Sequence, residues 1–285
     1  MGDRYLAIKK DGIETSHPAT VRQPRRWLRA GLIPLSIIIA ILAWWLLARL
    51  SGLPPFMLPS PGLVLDRFWQ VLQDGTLLRN TWVTLYEVLI GMTVGVIAAS
   101  GLGYLLAKSP VVERLLSPYV VASQAVPIVA IAPLLVIWFG PGLLSKVMIT
   151  ALIVFFPVLV NTVVGLHSVP DDLRDLLRSL LASPWQTFIK LEAPAALPIF
   201  LGGLRIGATL SVIGAVVGEF VGADHGLGFM INRARGQYDT ALVFVTVITL
   251  IMMALALYGA VVFAERRLLS WQQRPENPIL ISDKS

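Results

Sequence analysis

The chain has 285 residues, 56% of them hydrophobic and only 14% charged, with a mean hydropathy of +0.75. That balance excludes an ordinary water-soluble domain and places the chain in the multi-span membrane class. The net charge of +6 does not indicate nucleic acid, because Lys and Arg gather in short segments beside the apolar runs, and the lack of cysteine excludes disulfides and thiolate metal sites.

Residues 1–27 carry no pattern able to build a core and read as an N-terminal tail. The first apolar run, 28–51, is longer than a signal-peptide core and has no clear small-x-small cleavage site, so it reads as a retained helix. Pro61 to Asn80 follows, with Leu63, Leu65, Phe68, Trp69 and Leu72 among polar residues. It is too short and polar to span, and is expected to lie along the membrane surface. Five more runs, at 81–107, 116–139, 145–166, 197–222 and 241–264, bring the expected spans to six, each near the roughly 20 residues that cross the hydrocarbon core. Residues 272–285 form a C-terminal tail.

Six spans with both ends on one side put sixteen Lys and Arg on that side: those up to Arg29, then Lys108, Arg114, Arg174, Arg178, Lys190, and all from Arg266 onward. The opposite side holds six, Arg49, Arg67, Arg79, Lys146, Arg233 and Arg235, and Arg205 lies within a span. The positive-inside bias therefore puts both termini in the cytoplasm and Trp44, Trp45, Trp82 and Trp138 near the outer interface.

Proline breaks the third expected span at Pro127 and Pro133 and the fourth at Pro157, where neighbouring helices or a lined cavity must satisfy the freed carbonyls. Small residues recur every fourth position: Gly91, Gly95, Ala99 and Gly103; Gly203, Gly207, Ser211 and Ala215; Gly214, Gly218 and Gly222. Such rows permit close helix contact, either inside one bundle or between subunits. No internal repeat is visible.

The polar interlude His167 to Pro198 is the most informative segment. Pro170 before Asp171 and Asp172 signals a helix start with acidic residues at the positive end of the dipole. Ser183-Pro184-Trp185-Gln186 signals another, with Ser183 as N-cap, Pro184 at the first helical position and Gln186 completing a capping box. Pro194 and Pro198 are expected to close the stretch, giving two short helices at a sharp corner, with apolar Leu176, Leu177, Leu180, Leu181, Trp185 and Phe188 set among charges.

This interlude resembles the cytoplasmic loop of ATP-binding-cassette importer permeases, whose pattern is Glu-Ala-Ala, three residues, Gly, nine residues, Ile-x-Leu-Pro. On this chain the triplet falls at Asp175-Leu176-Leu177 and the glycine at Leu181, and the Leu-Pro that follows, Leu197-Pro198, lies four positions beyond the pattern's spacing. The match is partial. Leu181 in place of glycine does not readily take positive φ, so the corner is expected at Ala182-Ser183 instead. The surroundings, LLASPWQTFIKLEAPAALPIFLGGLRIG, IGAVVGEFVGADHGLGFMI and the ending with Tyr258, Glu265, Arg266, Arg267 and Trp271, are similar to the nitrate/sulfonate/taurine branch from about Leu53 to Trp271. SQAVPIVAIAPLLVIWFG and VFFPVLVNTVVG look closest to permeases for riboflavin or thiamine-pyrimidine precursors.

The resemblance implies an all-α, polytopic bundle of six transmembrane helices with the type I importer permease fold, comprising a permease domain 28–271 and a coupling loop 167–196. It implies a non-catalytic subunit without cofactor, two ATPase partners, an external solute-binding protein and a second permease copy, as a homodimer. The chain has no G-x-x-x-x-G-K-[ST] of its own. Docking on the ATPase is expected to use Arg174, Asp175, Leu176, Leu177, Arg178, Leu180, Leu181, Ala182, Ser183, Trp185 and Phe188, with leucines and Trp185 as anchors and Arg174, Asp175 and Arg178 as a charged rim.

Polar residues within spans are functional suspects, because burying them unpartnered is costly. Gln124 and Asn161, beside the proline breaks, are expected to line the pathway, with Glu219 near an outer gate; Glu87 reads as a helix–helix contact and Arg205 as a structural or headgroup contact. Of Phe155 and Phe156, at most one is expected to face the pore, since neighbours on a helix point about 100° apart. The loop holding His225, Arg233 and Arg235 is either a polar connector or a contact for the binding protein. His17, His167 and His225 are too dispersed for a metal. Sulfonate, taurine or nitrate import, an ion-driven secondary transporter and a membrane enzyme are the alternatives; the second usually shows inverted repeats and the third needs clustered acid–base groups.

Overall fold

Three Ser-Pro pairs set three helix starts. Ser60, Ser109 and Ser183 each accept a hydrogen bond from the backbone N–H three residues on. Pro61, Pro110 and Pro184 then occupy the first turn, where the missing N–H is no loss. The computed structural model describes residues 26–270, with no strand among them. The expected N-terminal tail before Arg26, with His17, and everything from Trp271 on, including the C-terminal tail, lie outside the described residues.

Helix α1 (Arg26–Leu50) is a unit by itself. Its side chains, described from Pro34, are apolar around the whole circumference and mostly exposed, the pattern of a helix that meets lipid. The other unit begins at Gly52 and contains α2 (Pro61–Gln73), α3 (Thr76–Lys108), α4 (Pro110–Gln124), α5 (Ile128–Phe139), α6 (Leu143–His167), α7 (Asp171–Ser179), α8 (Pro184–Thr187), α9 (Ala193–Gly222), α10 (Leu227–Gly236) and α11 (Thr240–Leu268). Among the described residues, α3, α6, the continuous α8–α9 and α11 are long and apolar enough to cross a membrane, and the bent pair α4–α5 is so only when its two helices are taken together as one broken span. The expected sixth corresponds to α1, a helix of 25 residues whose side chains are described from Pro34.

The expected straight span at 116–139 is replaced by two helices meeting at 96°. Pro127 cannot donate to the preceding turn, its ring pushes Val126 out of the helical region, and it sits at ψ 108° itself. Pro118, Pro133, Pro157 and Pro198 stay inside continuous helices.

The expected surface stretch is α2, which buries Val64 and Val71. It is pinned by Arg67, whose Nη2 lies 2.7 Å from Asp239 at the start of α11. Between α2 and α3, Asp74 accepts from the Thr76 N–H at 2.8 Å, which holds its carboxyl below the usual carboxylate range.

The core is α6, packed lengthwise between α3 and α9. The glycine rows make this approach possible. A Cβ on Gly91 would stand 2.5 Å from Thr150, on Gly95 2.7 Å from the Ala151 carbonyl, on Gly203 2.5 Å from Asn161, and on Gly214 2.7 Å from the Thr150 Cα. Rising numbers on α3 meet rising numbers on α6, and on α9 they meet falling ones, so α3 runs parallel to α6 and α9 antiparallel. The small-residue rows serve packing within one chain, and dispersion contacts at this density hold the three helices together. Lys108, Glu113, His167, α7 and Glu265 therefore share one end, and Arg79, Pro141, α10 and Asp239 the other.

Candidate functional site

At the α7 end the polypeptide makes the expected corner, but at a different residue. Leu181 takes φ +55°. Its N–H donates to the Arg178 carbonyl at 2.9 Å, and that of Ala182 to Leu177 at 3.0 Å. This is the paired closure in which one left-handed residue lets two amides satisfy carbonyls at a helix end, and it offsets the roughly 1–2 kcal/mol that a left-handed leucine costs. The corner expected at Ala182-Ser183 thus lies at Leu181, whose side chain is 92% exposed.

The capping box after the corner forms as expected: Gln186 N–H donates to the Ser183 hydroxyl at 3.3 Å, and Ser183 N–H to the Gln186 side-chain carbonyl at 2.8 Å. The helix it starts does not stop at Pro194 or Pro198. A π-turn, Phe188–Glu192, carries it into α9, with the Ala193 N–H donating to the Phe188 carbonyl. Widening the turn ahead of Pro194 absorbs the hydrogen bond that proline cannot make. The second helix of the corner is therefore the first part of a 39-residue span.

Leu173, Leu176, Leu180, Leu181, Trp185 and Ile189 are exposed around the corner, and Leu177 and Phe188 half-buried. Asp175 and Arg178 pair at 3.0 Å on the surface. Arg174, expected beside them in a charged rim, turns inward instead: it donates to the Leu166 carbonyl at 2.6 Å, pairs with Asp171 at 3.0 Å and lies 3.6 Å from Glu192. Trp185 stacks on Phe188 with centroids 5.8 Å apart, and Phe188 meets Tyr104 of α3 edge-on at 5.3 Å.

Behind the corner, Glu192 is 1% exposed and takes the Lys108 ammonium at 2.5 Å. Nothing in the local sequence marks this pair, since its members lie 84 positions apart. Arg205 reaches Glu265 of α11 at 3.4 Å.

A second buried polar group lies at the α10 end. Glu87 pairs with Lys146 at 2.8 Å, both nearly enclosed. Lys146, expected on the outer side, lies inside α6; the glycines of Gly140-Pro141-Gly142 place the helix start at Leu143. Glu219 is 1% exposed and accepts from the Thr84 hydroxyl at 2.6 Å and from the Gly228 N–H. The Leu227 N–H donates to Thr84 at 2.8 Å and that of Gly226 to Asn80 at 2.7 Å. Together these side chains cap the first turn of α10, taking up amides that the helix cannot satisfy. A Cβ at Gly226, which has φ +112°, would stand 2.3 Å from the Glu219 carboxylate. His225 is within 3.0 Å of Arg79.

Of the expected pathway residues, Gln124 lines a cavity of about 160 Å³ between α4 and α6, with Glu113, Ser117 and Val160. Phe155 lines a larger one, about 510 Å³, between α3, α4 and α6, with Tyr119, Ser123 and Leu102. Phe156 lines that cavity too, and the two rings meet edge-on at 5.2 Å. Asn161 donates to the Pro157 carbonyl at 2.8 Å, and its Cβ faces Gly203.

Residues 91–270 match the family model described as binding-protein-dependent transport system inner membrane component. Over 246 residues, 86% of the chain, it is 46% identical to the riboflavin transport system permease protein of Chloroflexus aurantiacus, covering 91% of that protein. It is 36% identical to the formylaminopyrimidine transport permease protein of Halalkalibacterium halodurans, covering 84% of this chain and 95% of that one. It is also 31% identical to the taurine transport system permease protein of Escherichia coli, covering 86% and 92%. In fold it is similar to a chain of the MetNI methionine ABC transporter in inward-facing conformations, with a TM-score of 0.62 at 20% identity, over 69% of this chain and 97% of that one.

Proposed function

The chain belongs to the family of binding-protein-dependent transport system inner membrane components, and from that premise we propose that it carries riboflavin, or a related aromatic vitamin precursor, through the membrane. It is a multi-pass inner-membrane permease subunit of an ABC importer. ATP hydrolysis occurs in two separate subunits, each of which grips the corner around Leu181 of one of two permease copies. An external solute-binding protein delivers the cargo at the α10 end. Both termini and the corner then lie in the cytoplasm, as the excess of Lys and Arg requires; with Lys146 inside a span, that excess grows.

One observation carries the docking half of this reading. Leu181 is held at positive φ with its side chain almost wholly exposed, surrounded by further exposed Leu176, Leu180 and Trp185. A leucine at a strained, unpacked position contributes nothing to the isolated fold; its apolar surface is stabilising only when a partner covers it. ATP-driven approach of the two gripping subunits would move the corner and, through the continuous α8–α9 helix, the span itself.

The cargo is supported by the 46% identity to a riboflavin permease and by the grooves at Phe155, Phe156 and Tyr119, whose faces suit a flat ring system better than an anionic sulfonate. The chain is cysteine-free, so a single Leu181→Cys substitution gives a unique thiol. Without the ATPase subunits it should react with impermeant maleimide only from the cytoplasmic face, and with them it should cross-link to them and be shielded from the reagent. Labelling from outside refutes the topology, and labelling undiminished by the ATPase subunits refutes the docking.

A further inference from the structure

We propose that Glu192 is the positioning residue through which movement of the corner reaches the spans, acting as a joint between α3, α7 and α9; this rests on the importer reading above. Glu192 closes the π-turn that joins the corner to α9, and its carboxylate is 1% exposed. One oxygen takes Lys108, at the end of α3, at 2.5 Å, and Arg174 of α7 approaches the same oxygen at 3.6 Å. Arg174 in turn holds the Leu166 carbonyl at the end of α6 at 2.6 Å. Side chains of α3 and α7 thus meet one buried carboxylate at the entrance to α9, and the end of α6 holds the arginine.

An aromatic ladder parallels the ionic one. Exposed Trp185 stacks on Phe188, Phe188 meets Tyr104, and Lys108 lies 5.5 Å from the Tyr104 centroid. A push on Trp185 therefore arrives at the same Lys108 that Glu192 holds.

The joint has slack on its inner side. The second Glu192 oxygen and the Arg174 Nε are buried without a hydrogen bond among the described residues, and at 3.6 Å the arginine is beyond hydrogen-bond reach of the carboxylate. Leaving a buried donor unjoined is unfavourable, and a shift of under 1 Å would bring the Arg174 Nε within hydrogen-bond reach of the oxygen that Lys108 holds. A cavity of about 270 Å³, bordered by Tyr104, Leu166, Phe188, Ala196 and Phe200, gives the π-turn and the Phe188 ring room for that shift. Two arrangements, one with the Arg174–Glu192 hydrogen bond open and one with it closed, make a two-state element that a partner on the corner can bias.

The test uses the complete transporter, with ATPase subunits and riboflavin-loaded binding protein, in proteoliposomes. Co-purified ATPase, ATP hydrolysis and riboflavin uptake are measured for the natural sequence, Glu192→Gln, Glu192→Asp and Arg174→Gln. Glu192→Gln should assemble and hydrolyse ATP within about twofold of the parent, while riboflavin taken up per ATP falls about tenfold. Glu192→Asp should recover most of that ratio, and Arg174→Gln, altered at a partly exposed side chain, should lower it several-fold. An unchanged ratio in Glu192→Gln overturns the proposal, as does a parallel loss of assembly, hydrolysis and uptake in both Glu192→Gln and Arg174→Gln, which would mark a merely structural pair. Should Glu192→Gln not fold, the Arg174→Gln ratio decides alone. Failure of the parent chain to assemble with ATPase subunits is a separate result: it removes the importer reading and this inference with it.

Discussion

Replacing Leu181 by glycine should move stability and partner affinity in opposite directions. At φ +55° the leucine costs about 1–2 kcal/mol, which glycine does not incur. The more flexible unfolded chain of the glycine variant returns about 0.5–1 kcal/mol of that. The side chain is 92% exposed, so no packing is lost in the isolated permease, and the net gain is about 0.5–1 kcal/mol. At roughly 2–4 °C per kcal/mol for a domain of this size, the midpoint of thermal unfolding in detergent should rise by about 1–4 °C. Docking, by contrast, buries nearly the whole leucine, worth about 1.5–3 kcal/mol, so affinity for the ATPase subunits should fall roughly tenfold to a hundredfold. Leu181→Asn, polar and tolerant of the left-handed region, should weaken binding similarly without lowering the midpoint. Surface plasmon resonance on detergent-solubilised permease, beside a thermal melt, measures both quantities. Unchanged affinity in both variants would show that Leu181 is not in the contact. A lower midpoint for the glycine variant would show that its backbone is not strained.

Breaking the buried pair with Lys146→Met alone should destabilise the permease by about 3–5 kcal/mol, because the Glu87 carboxylate stays buried without its partner, and adding Glu87→Gln should recover most of that in the same melt. Gly95→Ala should cost about 1–3 kcal/mol, since its Cβ meets the Ala151 carbonyl at 2.7 Å, whereas Gly101→Ala, with open space around it, should be neutral or slightly stabilising. Phe155→Ala should lower riboflavin uptake several-fold with Phe155→Tyr close to the parent, measured as initial rates in vesicles; equal rates for all three would remove Phe155 from the pathway.

The helix starts were readable from sequence because capping is local: Ser183, Pro184 and Gln186 lie within four positions, and their hydrogen bonds follow from that spacing alone. The position of the corner is not legible in the sequence, because steric preference at Leu181 competes with two backbone hydrogen bonds, whose carbonyl partners at Leu177 and Arg178 only the formed helix supplies. Pro127 signals a break, but whether a proline stays inside a continuous helix, as at Pro157, or gives a 96° turn depends on the helices around it. The glycine rows pointed to close contact, and the partner helix α6, with Thr150 receiving both Gly91 and Gly214, became visible only in three dimensions. The ion pairs of Glu192 and Lys146 are not legible in the sequence for a shared reason. Each sits beside proline or glycine punctuation that reads as loop, and each finds its partner across a long stretch of chain.

Transport against a gradient tests the central claim most directly. Proteoliposomes are prepared with the permease alone and with the permease plus ATPase subunits, riboflavin-loaded binding protein and ATP on the faces assigned above. Riboflavin should accumulate above its outside concentration only in the complete set, and only while ATP is hydrolysed. Accumulation by the permease alone, driven by an ion gradient, would contradict the assignment.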